Sequence, residues 1–141
     1  MSKPDFSNLK QAEVDGEKDR PYRLAVLEGA PTIWFRPALN QNRDFLNETL
    51  RLSKEKAGGA GRSMTASTIE EAREEDRYVL SHACATRWDV RDAKGAEVEF
   101  SAENCLEYFR QLPDWLFDGL RGWASNPVNW MRGNPEKLGE P

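Results

Sequence analysis

The chain has 141 residues, with a formal net charge of −4, 31% charged residues and 38% apolar ones. That length accommodates one domain with a modest core, and no apolar run nears the roughly 18 residues of a membrane span. Two cysteines without paired spacing argue against a disulfide scaffold, and an acidic chain with dispersed Lys and Arg argues against phosphate tracking along nucleic acid.

Residues 1–20 mix Lys, Asp and Glu without an apolar period and read as a flexible arm. The first ten residues lack a hydrophobic signal-peptide region, so the expected location is the cytoplasm of the producing cell. Tyr22–Leu27 and Thr32–Arg36 are β-prone runs joined by Glu28-Gly29-Ala30-Pro31, which predicts a hairpin. Pro31 and Pro37 bracket the second run and suit an edge strand.

From Asn40 to Lys56 the period turns helical, with Asn42, Phe45, Leu46, Thr49 and Leu52 on one face. Residues 57–66 then form a Gly-rich linker inside the domain, with no phosphate-loop signature. Ser67 and Glu70 have capping-box spacing at the start of a helix expected to continue to Thr86. Its face of Ile69, Ala72, Val79, Leu80, Ala83 and Cys84 is interrupted by Asp76, so the first half is expected to overhang the core. Glu70, Glu71, Glu74 and Glu75 read as a solvated acidic face near that helix's N-terminus.

Trp88-Val90 and Ala96-Val98-Phe100 alternate with polar residues around an Asp92–Gly95 turn, which predicts a second hairpin with Trp88 in the core. Ser101 is positioned to cap a helix carrying Ala102, Cys105, Leu106, Phe109 and Leu112 on its apolar side. Pro113 ends it and suits the first turn of another helix, with Leu116, Phe117, Leu120, Trp123 and Ala124 on a stripe and Trp115 off it. Residues 126–141 carry several prolines and no period, and read as an extended tail. Within it, Trp130 either tucks back onto the domain or meets a partner.

The expected fold is therefore a small single α+β domain over residues 21–125, with about four helices, one or two β-hairpins and flexible N- and C-terminal tails. His82 is expected at the surface, and Cys84 and Cys105 as small core residues. No metal, cofactor or catalytic residue is assigned, because neither zinc-ligand spacing nor a nucleophile–base pair is present. The crowding of Trp115, Trp123 and Trp130 near the C-terminus leaves protein binding as the expected activity. Leu116, Leu120, Trp123 and Trp130 are the candidate partner-binding residues.

The run W-D-V-R-D-x-x-G-x-x-V-x-F-S-x-E-N from Trp88 to Asn104, followed by Leu112-Pro113, resembles the tail assembly chaperones of long-tailed bacteriophages. So does Thr32-Ile33-Trp34-Phe35-Arg36-Pro37 followed by Asn40-Gln41-Asn42-Arg43-Asp44-Phe45. The likeness covers about residues 22–117. Glu99 stands where the family often has proline, and the Trp-rich C-terminal helix has no counterpart in the pattern. The resemblance implies a non-enzymatic protein that binds and solubilises the tape-measure protein, helps recruit tail-tube subunits, works in the host cytoplasm and is absent from the mature virion. It implies neither nucleic acid nor membrane as a partner and is compatible with a homo-oligomer. The alternatives are a minor virion structural or tail completion protein, and a small nucleic-acid-binding regulator.

Overall fold

A computed structural model describes residues 3–55 and 66–133. The Gly-rich stretch 57–65 and residues 134–141 lie outside the described residues, as does the side chain of Ser67. The domain is α+β: three antiparallel strands, β1 (Arg20–Arg23), β2 (Thr32–Phe35) and β3 (Ala85–Trp88), with helices α1 (Arg43–Glu55), α2 (Ala66–Val79), α3 (Ala102–Gln111) and α4 (Asp114–Ala124).

The first hairpin forms, with Arg20 opposite Phe35 and Arg23 opposite Thr32, so β1 sits earlier than its β-prone run suggested while β2 starts where expected. Strand order is β1-β2-β3, which makes β2 central rather than an edge. Pro31 and Pro37 both lie outside Thr32–Phe35, so neither removes a donor from the ladder. The edge proline is instead Pro21 in β1. Along β2, Ile33 and Phe35 point inward and are fully buried. Phe35 stacks on Phe109 of α3 at 6.2 Å and meets Trp123 of α4 edge-on at 6.1 Å, so α3 and α4 close over this face.

The second hairpin is only partly regular. Arg91 and Glu97 form an isolated bridge, supported by Asp92 N–H to Ala96 O (2.9 Å) and Val98 N–H to Val90 O (3.2 Å). Side chains take over much of the remaining backbone bonding. The Trp88 indole N–H donates to the Val98 carbonyl at 2.8 Å, and Asp92 Oδ1 accepts from the N–H groups of Lys94 and Ala96. Gly95 takes φ +84°, the left-handed geometry this turn requires. Trp88 is half-buried and lies edge-on to Phe100 and Tyr108.

The helix expected to run to Thr86 stops at Val79. A π-helical turn, Leu80–Cys84, follows, and the chain then enters β3. The early half of α2 does overhang: Ile69 and Ala72 are exposed, while Val79, Leu80, Ala83 and Cys84 are buried. At Ser101 the predicted cap is present, its side chain accepting from Asn104 N–H at 3.0 Å.

Asn42 ties these parts together. It is fully buried, one residue before α1. Its Oδ1 accepts from the N–H groups of Asp44 and Phe45, as a helix cap does, and also from the Arg36 guanidinium. Its Nδ2 donates to the carbonyls of Pro37 (3.0 Å) and Ala83 (2.9 Å). One amide thus joins the end of β2, the start of α1 and the π turn.

Arg77 of α2 is only 5% exposed. Its guanidinium lies 5.5 Å from the Phe117 ring and pairs with Glu70 (2.9 Å) and Asp114 (3.1 Å). Arg73 pairs with Asp118 at 3.0 Å, and Arg121 reaches Asp76 at 2.8 Å. Helix α2 is therefore stitched to α4 through Arg73, Arg77 and Asp76. Hydrogen bonds from Arg77 and Arg73 hold the Glu70 carboxyl below its ordinary 4.5, and Arg73 holds Asp118 below 3.8. A carboxyl depressed in the folded state contributes stability above its unfolded value, and that contribution is lost as pH falls through the folded one. The urea midpoint is accordingly expected to drop as pH is lowered past 4.5 and then 3.8. The drop should be smaller in Asp118→Asn. The carboxylates of these pairs are in part exposed to solvent, so the effect is modest and salt weakens it. An acid dependence identical in the variant would show that the Arg73–Asp118 pair contributes nothing.

Both ends of the described chain, read from sequence as an arm and a tail, have a defined course. Val14 bridges Met131, Arg132 N–H donates to Glu13 O at 2.7 Å, and Gly133 N–H to Gln11 O at 2.8 Å. Gly16 packs so closely on the Gln41 carbonyl that a Cβ there would lie 1.8 Å from its oxygen. Trp130, in a 3₁₀ turn over Pro127–Trp130, is 1% exposed and donates its indole N–H to Ala124 O at 2.9 Å. Of the two readings of Trp130, it tucks back.

Candidate functional site

The patch expected at the C-terminal helix is not a surface. Leu116 and Leu120 belong to the core with Trp130, and Trp123 is half-buried between Tyr22 and Trp130, each 5.0 Å away. The reason is local: the tail folds back, so Trp130 packs on Trp123 and bonds to Ala124 of α4 within the same chain, while Phe117 packs on Phe109. Trp115 alone among the C-terminal aromatics stays exposed, at 67%.

A cleft of about 840 Å³ opens elsewhere, between the β1–β2 turn and the loop that follows β3. From the turn come Leu27, Glu28, Gly29 and Pro31, and from the loop Trp88 through Asp92, Gly95, Glu97 and Val98, with Tyr108 of α3 alongside. Two features fix its shape. Asp89 locks the two loops together, accepting from Thr32 N–H at 2.6 Å and donating its own N–H to Thr32 O at 3.1 Å. Asp92 locks the far loop through its own backbone.

The cleft is electrostatically one-sided. Glu28, Asp89, Asp92 and Glu97 face one cation, Arg91, which is held by the Gly95 carbonyl (3.0 Å) and Glu97 (3.3 Å). Burial raises the Tyr108 hydroxyl above its ordinary value, and the Asp89 charge adds to that. Apolar ring surface from Trp88 and Tyr108 thus adjoins concentrated negative charge.

A second, smaller hollow of about 410 Å³ lies between α1, α2 and α4, lined by Phe45, Val79, Leu80 and Gly122. Its rim charges, Asp76, Asp118 and Arg121, already pair with one another.

Among the described residues no group of three or more His, Cys, Asp and Glu could hold a metal. His82 is exposed, and its Nδ1 lies 2.9 Å from Ser81 Oγ, but that hydroxyl is buried and donates to Tyr78 O. The pair caps its own helix and offers no accessible nucleophile. Burial pushes the Cys84 thiol up to about 12 and Cys105 higher still, so both are inert core residues. No described helix is long and apolar enough to cross a membrane.

Sequence reasoning treated the acidic residues of both turns as turn chemistry alone. The signal available was acidic residues in two turns, one of them beside Trp88, but nothing in a linear reading brings Glu28 to Asp89. Compared with models of known families, with curated proteins and with solved structures, the chain shows no match.

Proposed function

We propose that the chain is a tail assembly chaperone of a long-tailed phage: it binds the tape-measure protein, keeps it dispersed before assembly and helps bring tail-tube subunits to it. The observation that carries the reading is where the resembling residues fall. Trp34-Phe35-Arg36-Pro37 and Asn42 form the β2–α1 junction, and Trp88 to Val98 lines the large cleft. Two stretches about fifty positions apart therefore build one connected substructure, as a shared fold pattern would require. The chemistry agrees. A helical, apolar tape measure aggregates through its exposed stripes, and an acidic partner that covers part of it adds charge and solubility. The partner-facing surface is read as the cleft, because Leu116, Leu120 and Trp130 are buried in the chain's own core.

Co-expression tests this reading. The tape-measure protein of the same phage is expected to be soluble, and to co-purify, when the chain is present, and to precipitate without it. Equal precipitation in both cases would remove the function.

A further inference from the structure

The chemistry of the cleft specifies more than its location. We propose that it seats an arginine side chain presented by the partner protein, the guanidinium lying against Trp88 and Tyr108 and facing Glu28, Asp89 and Asp92. The proposal rests on the reading of this cleft as the partner-facing surface.

Four carboxylates against one already engaged guanidinium repel any phosphate or carboxylate ligand and attract a cation. Aromatic surface beside that charge favours a flat, weakly hydrated guanidinium over a strongly hydrated ammonium. The same sheet already does this internally: the Arg87 guanidinium sits over the Trp34 ring at 4.3 Å. The loop also holds a guanidinium of its own, Arg91 between Gly95 O and Glu97. At about 840 Å³ the cleft is in the size range that takes a multi-atom ligand, so it has room for the flanking main chain of a protein segment as well as the side chain. That room distinguishes a protein segment from a free polyamine, which would use only the charge.

The test uses the whole chain and a short capped peptide with one central arginine, read by amide chemical shifts. Matched peptides carry citrulline, lysine or glutamate instead, and spermidine is titrated separately. The arginine peptide should give saturable shifts at Gly29, Asp92 and Gly95, with lysine weaker and citrulline and glutamate weaker by about fivefold or more. Glu28 is exposed, so a Glu28→Gln variant keeps the fold and should weaken the arginine peptide by about threefold. Equal binding of citrulline, an unchanged affinity in the variant, tighter binding of spermidine, or no saturable shift would each overturn the proposal. Arginine binding with failed co-expression would leave the seat standing and remove the tape measure as partner. Successful co-expression without arginine binding would remove the seat alone.

Discussion

Asn42→Ala is expected to lower stability by about 3–4 kcal/mol, a large share of the roughly 5–15 kcal/mol that holds a domain together. The amide is fully buried and bonds to groups from three parts of the chain. Removing it leaves the Pro37 and Ala83 carbonyls without that donor and the first N–H groups of α1 without a cap. Each stranded buried group costs about 1–3 kcal/mol, and a lost cap about 1 kcal/mol. Asn42→Asp keeps the acceptor for Arg36 and the cap but turns an oxygen toward two carbonyl oxygens, so it should also be destabilised. Urea unfolding monitored by tryptophan fluorescence measures both. A change below about 1 kcal/mol for Asn42→Ala would mean that the β2–α1–π-turn junction is not held by this side chain.

Trp130→Ala is the second large effect, at about 3–5 kcal/mol for a fully buried aromatic. Three things go together here: the ring's contact with Trp123, the indole bond to Ala124 O, and the backbone pairing of residues 11–15 with 130–133. The loss should therefore reach the N-terminal segment, and the amides of Asp15, Arg132 and Gly133 should exchange faster. Val128→Ala, two residues away and 53% exposed, is the control and should stay within about 0.5 kcal/mol. If Trp130→Ala behaves like the control, the closing of the two chain ends over α4 is not a stabilising part of the fold.

The two residues also show where sequence reading reaches and where it stops. Helix α3 was legible in full, because its cap at Ser101 and its stripe of Cys105, Phe109 and Leu112 are set by neighbours within one or two turns. The β1–β2 hairpin was legible for the same reason. Asn42 reads from the pattern as part of the helix face, whereas it lies one residue before α1 and caps it, and its role as a junction depends on Ala83, forty-one positions away. Strand β3 was hidden because the apolar spacing through Leu80–Cys84 continues that of α2, while the π turn and the pairing with β2 are tertiary choices. The C-terminal prolines hid Trp130: they exclude a long helix, but a single 3₁₀ turn after Pro127 suffices to bury the ring. That fold-back also bears on the candidate partner-binding residues, of which Leu116, Leu120 and Trp130 are buried and Trp123 half-buried. Leu116 and Leu120 look surplus until the core closes over them, and Trp123 until Trp130 packs against it. The acidic cleft needs Glu28 and Asp89 brought together across two loops, which no local period encodes.

The partner is expected to meet the cleft between residues 27–31 and 88–98 and not the C-terminal helix. Hydrogen–deuterium exchange on the chain alone and in complex with the tape-measure protein tests it most directly. New protection is expected in 27–31 and 88–98, with α4 unchanged because its apolar face is already covered. Protection concentrated on α4, with those two loops exchanging as in the free chain, would contradict it.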